Sequence, residues 1–262
     1  MPSVAIEGGT LNYRVDGRSD LPPLLLSNSL GTALGMWDRQ IPALTKHFRV
    51  IRYDSRGHGL SSVTAGPYRI EQLGRDALAL LDELDLYKVR YMGLSKGGMV
   101  GQWLAINAPE RLERVALCNT AGKFPGPPDL WNQRIATALE QGMAPIVPGV
   151  LERWFTGAFR KAHPEAVEPI ERQLLATDPR GYAACVAAVR DVDLLKDLGR
   201  VRLPALVVIG DQDPATTPAQ GQAIADALPG ARVVTLPAAH LSNIEAEAAF
   251  NQAVVAFLTE GL

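Results

Sequence analysis

The strongest constraint on the fold is the segment 89–98, VRYMGLSKGG, in which a serine lies between two nearby glycines. An apolar, β-rich run precedes the serine, and a helix-forming stretch follows it. Because glycine has no Cβ, Gly93 and Gly97 allow a strand-to-helix turn that larger side chains would block. In this context the pattern G-x-S-x-G predicts a nucleophile elbow, with the Ser95 hydroxyl exposed at the carboxyl end of a sheet.

Strand-like and helix-like segments alternate along most of the chain, beginning with an antiparallel hairpin at 3–6 and 11–15. Buried strands are predicted at 24–27, 50–53, 89–92, 115–119, 205–209 and 233–236. Helices are predicted at 37–46, 70–84, 96–108, 218–227 and 245–259. Thr217-Pro218 has the pattern of a helix start. This alternation predicts an α/β fold whose mostly parallel central sheet is flanked by helices.

The stretch 121–198 departs from this alternation. It begins with a linker rich in proline and glycine, FPGPP at 124–128, and continues as helix-like sequence without a strand pattern. We therefore expect a helical cap at 121–198, inserted into a core that comprises 1–120 and 199–262.

Charge and composition exclude several classes of partner. The chain of 262 residues has a formal net charge of −2 and no block of Lys or Arg, which argues against nucleic acid and anionic membranes. No apolar run approaches the roughly 18 residues of a membrane helix, and residues 1–7 lack the basic start of a secretory signal. A cytoplasmic location is the default expectation. Cys118 and Cys185 are predicted to be buried free thiols.

A serine nucleophile needs a base, and only one histidine suits that role. Where an elbow supplies the serine, the acid and then the histidine follow it along the chain. His47 and His58 precede Ser95, and His163 falls within the predicted cap. Elimination therefore assigns the base to His240, which follows the last predicted strand; the alternative is a surface-loop histidine.

The acid that orients this base is expected just after the predicted strand 205–209. Two aspartates compete there, in the sequence GDQDP. We favour Asp213, which lies deeper in the loop. Asp211 is expected to accept hydrogen bonds from loop N–H groups, as aspartates do in turns.

The oxyanion formed by attack on a carbonyl requires preorganised donors. One is expected from the backbone N–H of Lys96, directly after the nucleophile. The other is expected from the loop 28–32, where we select the N–H of Leu30; the alternative is an ordinary strand-to-helix turn. A second polar loop, DSRGHGLS at 54–61, suits a tight hydrogen-bonded turn. We assign its Asp54, Arg56 and His58 structural roles.

Together, these patterns resemble the α/β-hydrolase superfamily over essentially the whole chain. The segments that carry the resemblance are 54–61, 93–97, 210–213 and His240. Longer stretches are similar to 3-oxoadipate enol-lactonases: SNSLGT with MWD, NTA with WNQRI, and AHLSNIE. The resemblance implies a serine hydrolase that opens β-ketoadipate enol-lactone to 3-oxoadipate through an acyl-enzyme, in bacterial catabolism of protocatechuate and catechol. It implies no metal and no organic cofactor.

The resemblance also implies a small anionic lactone as substrate. Arg134 is the candidate partner for its carboxylate, because a guanidinium pairs bidentately with a carboxylate. The alternative is a solvated arginine on a cap helix. Trp131 and Trp154 are expected to form apolar walls of the pocket.

One residue departs from the family pattern. The position after the nucleophile is usually apolar, such as Met or Leu, and here it is Lys96. In one interpretation its stem packs and its ammonium reaches solvent or a loop carboxylate. In the other it attracts an anionic substrate or shifts specificity.

Two alternative functions use the same residues. One is a general carboxylesterase, or a cofactor-free perhydrolase or haloperoxidase, because fold alone does not fix the substrate. The other is a protein that binds a small ligand without turnover, as some receptors of this fold do.

Overall fold

The computed structural model describes residues 2–262. Every predicted strand and helix lies within this range, and only Met1 of the predicted core lies outside it. All eight predicted strands form. They are β1 Ser3–Ile6, β2 Gly9–Asp16, β3 Pro23–Ser27, β4 Arg49–Tyr53, β5 Val89–Leu94, β6 Leu112–Cys118, β7 Ala205–Gly210 and β8 Arg232–Leu236. They build one sheet in the order β1-β2-β4-β3-β5-β6-β7-β8.

The sheet is mostly parallel, as predicted. The hairpin β1–β2 and the pair β2–β4 are antiparallel, whereas every pair from β4 to β8 is parallel. All residues of β5 and β7 are buried, because helices cover both faces of the central strands. This burial matches their continuous runs of apolar residues.

Twelve helices accompany the sheet. They are α1 Ile41–Leu44, α2 Ile70–Glu83, α3 Lys96–Asn107, α4 Asp129–Gln141, α5 Val147–Trp154, α6 Gly157–Ala162, α7 Pro164–Ala176, α8 Pro179–Arg190, α9 Leu195–Leu198, α10 Pro218–Ala227, α11 Ser242–Glu245 and α12 Glu247–Thr259. In α2 the residues at helical spacing, among them Leu73, Ala77 and Leu80, are buried. The predicted start of α10 is confirmed: the Gln220 side chain accepts from the Thr217 backbone N–H at 2.9 Å.

The centre of the sheet creates the crevice that the site uses. β3 and β5 are neighbours, but the chain leaves β3 toward β4 on one side and β5 toward β6 on the other. The loops after these two strands therefore diverge, and ligands of open α/β sheets bind where this happens. Leu30, the candidate oxyanion donor, follows β3, and Ser95, the candidate nucleophile, follows β5. Both residues therefore border the crevice.

The connection between β6 and β7 carries α4 to α9, and outside one isolated bridge it contains no strand among the described residues. These helices contact the loops at the carboxyl end of the sheet. Thr177 Oγ1 donates to Gly31 O at 2.9 Å, and the N–H of Tyr68 donates to Ala184 O at 3.1 Å. The limits 121 and 198 of an inserted cap stay a prediction.

Three details of the predicted elements are wrong. The helix predicted at 37–46 is a 3-10 turn, Leu34–Trp37, followed by the short α1, because Pro42 has no N–H with which to continue a helix. The helix predicted at 245–259 is divided at Ala246, whose φ of −117° and ψ of 42° are not helical. β8 is an edge strand rather than a buried one, and Val233 is 39% exposed.

Both cysteines are buried and free, as predicted. Among residues 2–262, no helix combines the length and apolar character that crossing a bilayer requires.

Candidate active site

Ser95 occupies a strained turn between β5 and α3. Its φ of 56° and ψ of −117° lie outside the regions that L-residues favour. The two glycines permit this turn: a Cβ on Gly93 would lie 2.2 Å from the Gly97 carbonyl oxygen, and one on Gly97 would lie 2.1 Å from Ser27 O. The elbow therefore packs directly against the end of β3.

Hydrogen bonds to neighbouring elements hold the strained backbone of Ser95. Its N–H donates to Cys118 O at the end of β6, at 2.9 Å. Its carbonyl oxygen accepts from Thr120 Oγ1 at 2.7 Å. Strain of this kind persists only where surrounding contacts determine it, and it is common at active sites.

His240 and Asp213 form a buried pair. His240 Nδ1 lies 2.8 Å from Asp213 Oδ2, and both side chains are almost fully inaccessible. Burial by itself raises the pKa of Asp213, but the His240 charge and hydrogen bonds from His240, Thr216 and Asn119 outweigh it and hold that pKa below its ordinary value. Asp213 is therefore ionised and able to orient the imidazole.

The two aspartates that compete in sequence differ sharply in structure. Asp213 Oδ1 accepts from the N–H groups of Ala215 at 2.8 Å and Thr216 at 3.0 Å, which point its other oxygen toward His240. Asp211 is exposed, and its backbone N–H donates to Leu236 O at 3.0 Å. The structure brings only Asp213 to the base.

Asn119 links the acid to the loop of the base, a role that the sequence analysis missed. Its Nδ2 donates to Asp213 Oδ2 and to Ala239 O, both at 3.1 Å. Its Oδ1 accepts from Ser242 Oγ at 2.5 Å. The positive φ of 40° just after β6 suits asparagine and turns this amide across the end of the sheet.

Ser95 and His240 line the same cavity. Within residues 2–262, no hydrogen bond joins Ser95 Oγ to His240. Catalytic hydrogen bonds are often long in structures without substrate and tighten when it binds. The arrangement therefore places His240 between Asp213, which orients it, and the cavity that Ser95 lines.

The loop after β3 offers a free donor to this cavity. The N–H groups of Ser29, Gly31 and Thr32 donate to Met36 Sδ at 3.2 Å, His58 Nε2 at 2.8 Å and Ser29 O at 3.4 Å. The N–H of Leu30 donates to no acceptor in the described part of the chain, and Leu30 lines the cavity. This N–H is thus available to an oxyanion.

The cavity has a volume of about 560 Å³, and its walls come from the core and from the helices after β6. Trp131 and Trp154, the predicted apolar walls, both line it. Trp131 packs edge-on against Phe124, with ring centroids 5.0 Å apart, and the Trp154 ring lies 5.8 Å from that of His240.

Two arginines lie in the cavity wall. Arg134, the predicted carboxylate partner, donates to the phenolic oxygen of Tyr182, and its guanidinium lies over the Tyr182 ring at 5.2 Å. Its Nε is buried without a partner among the described residues. Arg153 also lines the cavity and was missed, because helical sequence alone does not show which arginine faces inward.

The two positive charges interact unfavourably. Burial lowers the pKa of Arg153, and the neighbouring Arg134 charge lowers it further. No carboxylate of residues 2–262 forms an ion pair with either arginine. Since buried or clustered charges are normally paired, this wall suits an anionic ligand.

The Lys96 side chain contradicts the ammonium position of the first interpretation and the substrate-attracting role of the second. It is fully buried, and its Nζ has no hydrogen-bond partner in the described structure, so it reaches neither solvent nor a carboxylate. It also does not line the cavity, so it is not placed to attract a substrate. Burial lowers its pKa, against the opposing influence of Cys185 and Asp54. Its backbone N–H begins α3 beside Ser95, where an oxyanion donor is expected.

The loop 54–61 has the structural contacts that its sequence suggested. Asp54 accepts from Asn12 Nδ2 at 2.8 Å and from the Leu34 N–H at 2.7 Å. Arg56 pairs bidentately with Asp76 at 2.6 and 2.7 Å, and both are buried.

Glu245 fastens the loop of the base to the helices after β6. Its carboxylate accepts from the Ala239 N–H at 3.0 Å and from the Thr156 N–H at 3.3 Å. The N–H of Leu241 donates to Trp154 O at 3.0 Å. These bonds fix both sides of His240 against one wall of the cavity.

Comparison with known proteins identifies the family. A model of the α/β hydrolase fold matches residues 22–247. The chain belongs to the α/β-hydrolase family. It is 44% identical to 3-oxoadipate enol-lactonase 2 of Acinetobacter baylyi over 248 residues, 95% of this chain and 92% of that protein.

Two further comparisons agree. Identity to 3-oxoadipate enol-lactonase 1 of the same organism is 33% over 252 residues, which cover 96% of this chain and 94% of that protein. The crystal structure of the enol-lactonase from Burkholderia xenovorans LB400 superposes with a TM-score of 0.97 at 46% identity, covering 99% of this chain and 100% of that one. The predicted resemblance and fold class are confirmed.

Proposed function

We propose that this protein is a 3-oxoadipate enol-lactonase: a serine hydrolase that opens the enol-lactone to 3-oxoadipate during catabolism of aromatic compounds. One observation carries the proposal. A single cavity is lined by Ser95, by His240, whose partner Asp213 is buried behind it, and by two arginines without carboxylate partners. A serine nucleophile facing Arg134 and Arg153, which form a cationic wall, suits an ester that carries a negative charge. The similar proteins named enol-lactonases fit this chemistry.

The first half-reaction forms an acyl-enzyme. Ser95 Oγ attacks the lactone carbonyl while His240 Nε2 takes the hydroxyl proton. Asp213 keeps the proton of His240 on Nδ1 and stabilises the imidazolium. The N–H groups of Leu30 and Lys96 donate to the tetrahedral oxyanion. Collapse breaks the ring C–O bond, His240 returns its proton to the departing enol oxygen, and the enol becomes a ketone.

The second half-reaction releases the product. Water gives a proton to His240 Nε2 and attacks the acyl carbon, and the same two N–H groups receive the second oxyanion. Collapse breaks the bond to Ser95 Oγ, which recovers its proton from His240. The chemistry requires no metal or organic cofactor.

The substrate carboxylate is bound by the cationic wall. Arg134 is half-buried and held by Tyr182, so little side-chain freedom is lost when it pairs with an anion. Arg153 adds a second positive charge to the same wall. Trp131 and Trp154 supply apolar contacts to the ring. The small anionic lactone is the only partner proposed, with neither nucleic acid nor membrane, and we propose a cytoplasmic location, which two unpaired cysteines favour.

Loss of the enol-lactone ultraviolet absorbance tests the proposal, with Ser95→Ala measured in parallel. Rapid loss with the wild type that the variant abolishes is expected. Fast hydrolysis of p-nitrophenyl acetate without lactone turnover would instead indicate a general esterase, and peroxide-dependent halogenation would indicate a perhydrolase. Tight binding of the lactone without turnover of either ester would contradict an enzymatic role.

A further inference from the structure

The peptide units around Gly31 are held from two sides. The Gly31 N–H donates to His58 Nε2 at 2.8 Å, and its carbonyl oxygen accepts from Thr177 Oγ1 at 2.9 Å. Gly31 has a φ of +81°, and a Cβ there would lie 2.7 Å from Leu174 Cδ2. The backbone directly after Leu30 is therefore fixed by one bond to the core and one to the helices after β6.

The two hydrogen bonds to Gly31 restrict the direction in which the Leu30 N–H can point. The Gly31 N–H belongs to the peptide plane that follows Leu30, so fixing that plane restricts the backbone angles of Leu30. The N–H groups of Ser29 and Thr32 are already bonded within the loop. Orientation of the one uncommitted N–H thus depends on the hydrogen bond that His58 accepts.

The bond also dictates the protonation state of His58. Nε2 accepts a hydrogen, so it carries none, and the ring proton lies on Nδ1. Nδ1 is 3.2 Å from Arg56 O, which accepts that proton, and 3.8 Å from Cys185 Sγ. An imidazolium would carry protons on both nitrogens and would lose the Gly31 bond.

The surroundings favour the neutral ring. Burial holds the pKa of His58 well below its ordinary value, and the Lys96 charge lowers it further. The groups that face this region are Lys96 of α3, Cys185 of α8, and Asp54 and Arg56 of its own loop, with Arg56 paired to Asp76 of α2. The buried lysine after the nucleophile therefore lies where its charge disfavours protonation of the ring.

We propose that His58 is a positioning residue for the oxyanion hole: its neutral imidazole accepts the Gly31 N–H and thereby directs the Leu30 N–H toward the carbonyl attacked by Ser95. The inference rests on the proposed oxyanion role of Leu30 and not on the identity of the lactone. Any ester attacked by Ser95 develops the same oxyanion, so a neutral aryl ester tests it as well.

Two variants of His58 separate positioning from packing. His58→Leu fills space without an acceptor, whereas His58→Gln retains an oxygen that can accept from Gly31. We expect His58→Leu to lower kcat for p-nitrophenyl acetate and for the lactone by about 10- to 100-fold with KM changed less than about threefold. His58→Gln should recover part of that loss. The exposed His47→Leu is the control and should match the wild type.

Thr177→Val keeps the inference testable if His58→Leu does not fold. It removes the other bond to Gly31 and should lower kcat in the same direction. An unchanged kcat in folded His58→Leu or Thr177→Val, or a His58→Gln variant no better than His58→Leu, would overturn the positioning role. Failure of the proposed function is distinguishable, since it would leave the lactone unreacted by the wild type while the ester assay still responds.

The protonation state has its own test, which does not require activity. In wild-type protein labelled with nitrogen-15 histidine, one ring should keep an unprotonated Nε2 through the pH range in which an ordinary histidine, with a pKa of 6.5, gains its second proton. His58→Gln assigns that signal. A His58 ring that becomes doubly protonated near pH 6.5 would contradict the inference.

Discussion

Lys96→Met should stabilise the protein. The Lys96 side chain is completely buried, and its Nζ has no hydrogen-bond partner in the described residues. An unsatisfied buried polar group costs about 1–3 kcal/mol, and more when it is charged. Methionine has a similar length and shape without the amine, so the apolar stem contacts remain. We therefore expect the free energy of unfolding to rise by about 1–3 kcal/mol at pH 7.

The pH dependence of this gain has a definite sign. Burial holds the folded-state pKa of Lys96 below its ordinary value of 10.5. Between the folded pKa and 10.5 the unfolded chain binds more protons than the folded chain, so wild-type stability rises with pH in that window. The destabilisation by Lys96 is complete below the folded pKa and declines as pH rises toward 10.5. The advantage of Lys96→Met should decline with it.

Urea unfolding of both proteins at about pH 7 and about pH 10 measures the two effects. In thermal unfolding the gain corresponds to about 2–4 °C for each kcal/mol in a chain of this size. Lys88→Met, at an exposed lysine, is the control and should stay within about 0.5 kcal/mol of the wild type. A less stable Lys96→Met, or an advantage that grows between pH 7 and pH 10, would refute the reasoning.

The remaining predictions concern activity. Arg153→Met and Arg134→Met should each lower kcat/KM for the lactone by about 30-fold or more, the equivalent of at least 2 kcal/mol for a buried charge pair, and leave p-nitrophenyl acetate within about twofold. Equal losses on both substrates would contradict a role in carboxylate binding. Asp213→Asn should lower kcat by about 10³- to 10⁴-fold, because the wrong imidazole tautomer then faces Ser95. Asp211→Asn, the matched control, should retain wild-type kcat; a large loss there would reassign the acid.

Local rules predicted the parts of the site that depend on backbone geometry. The elbow at Ser95 follows from glycines whose Cβ atoms would collide with neighbouring backbone. The place of His240 follows from chain order, and that of Asp213 from its depth in the loop after β7. The structure brings Ser95, Asp213 and His240 close together because parallel strands bring their carboxyl ends to one edge of the sheet regardless of side-chain detail.

Local sequence patterns could not predict the contacts between segments that are far apart in the chain. Asn119 and Asp213 are 94 positions apart in sequence, and Glu245 and Thr156 are 89 apart, so no local pattern links them. Arg153 lies in an amphipathic helix whose inward face is set by packing against the core. The helix predicted at 37–46 failed for a local reason, since Pro42 interrupts its hydrogen bonds. The environment of Lys96 depends on α8, which begins more than eighty residues later.

Lys96 influences both the stability of the fold and the protonation of His58. A buried amine without a partner lowers stability, and a methionine at the same position would retain the backbone N–H beside Ser95. The side-chain charge, however, lies where it disfavours protonation of His58, and His58 must be neutral to accept the Gly31 N–H. Destabilising groups persist where activity depends on them. While Lys96 is protonated, its charge adds to burial in keeping His58 neutral, so Lys96→Met should gain stability and also raise the pKa of His58, which nitrogen-15 histidine spectra of the variant measure.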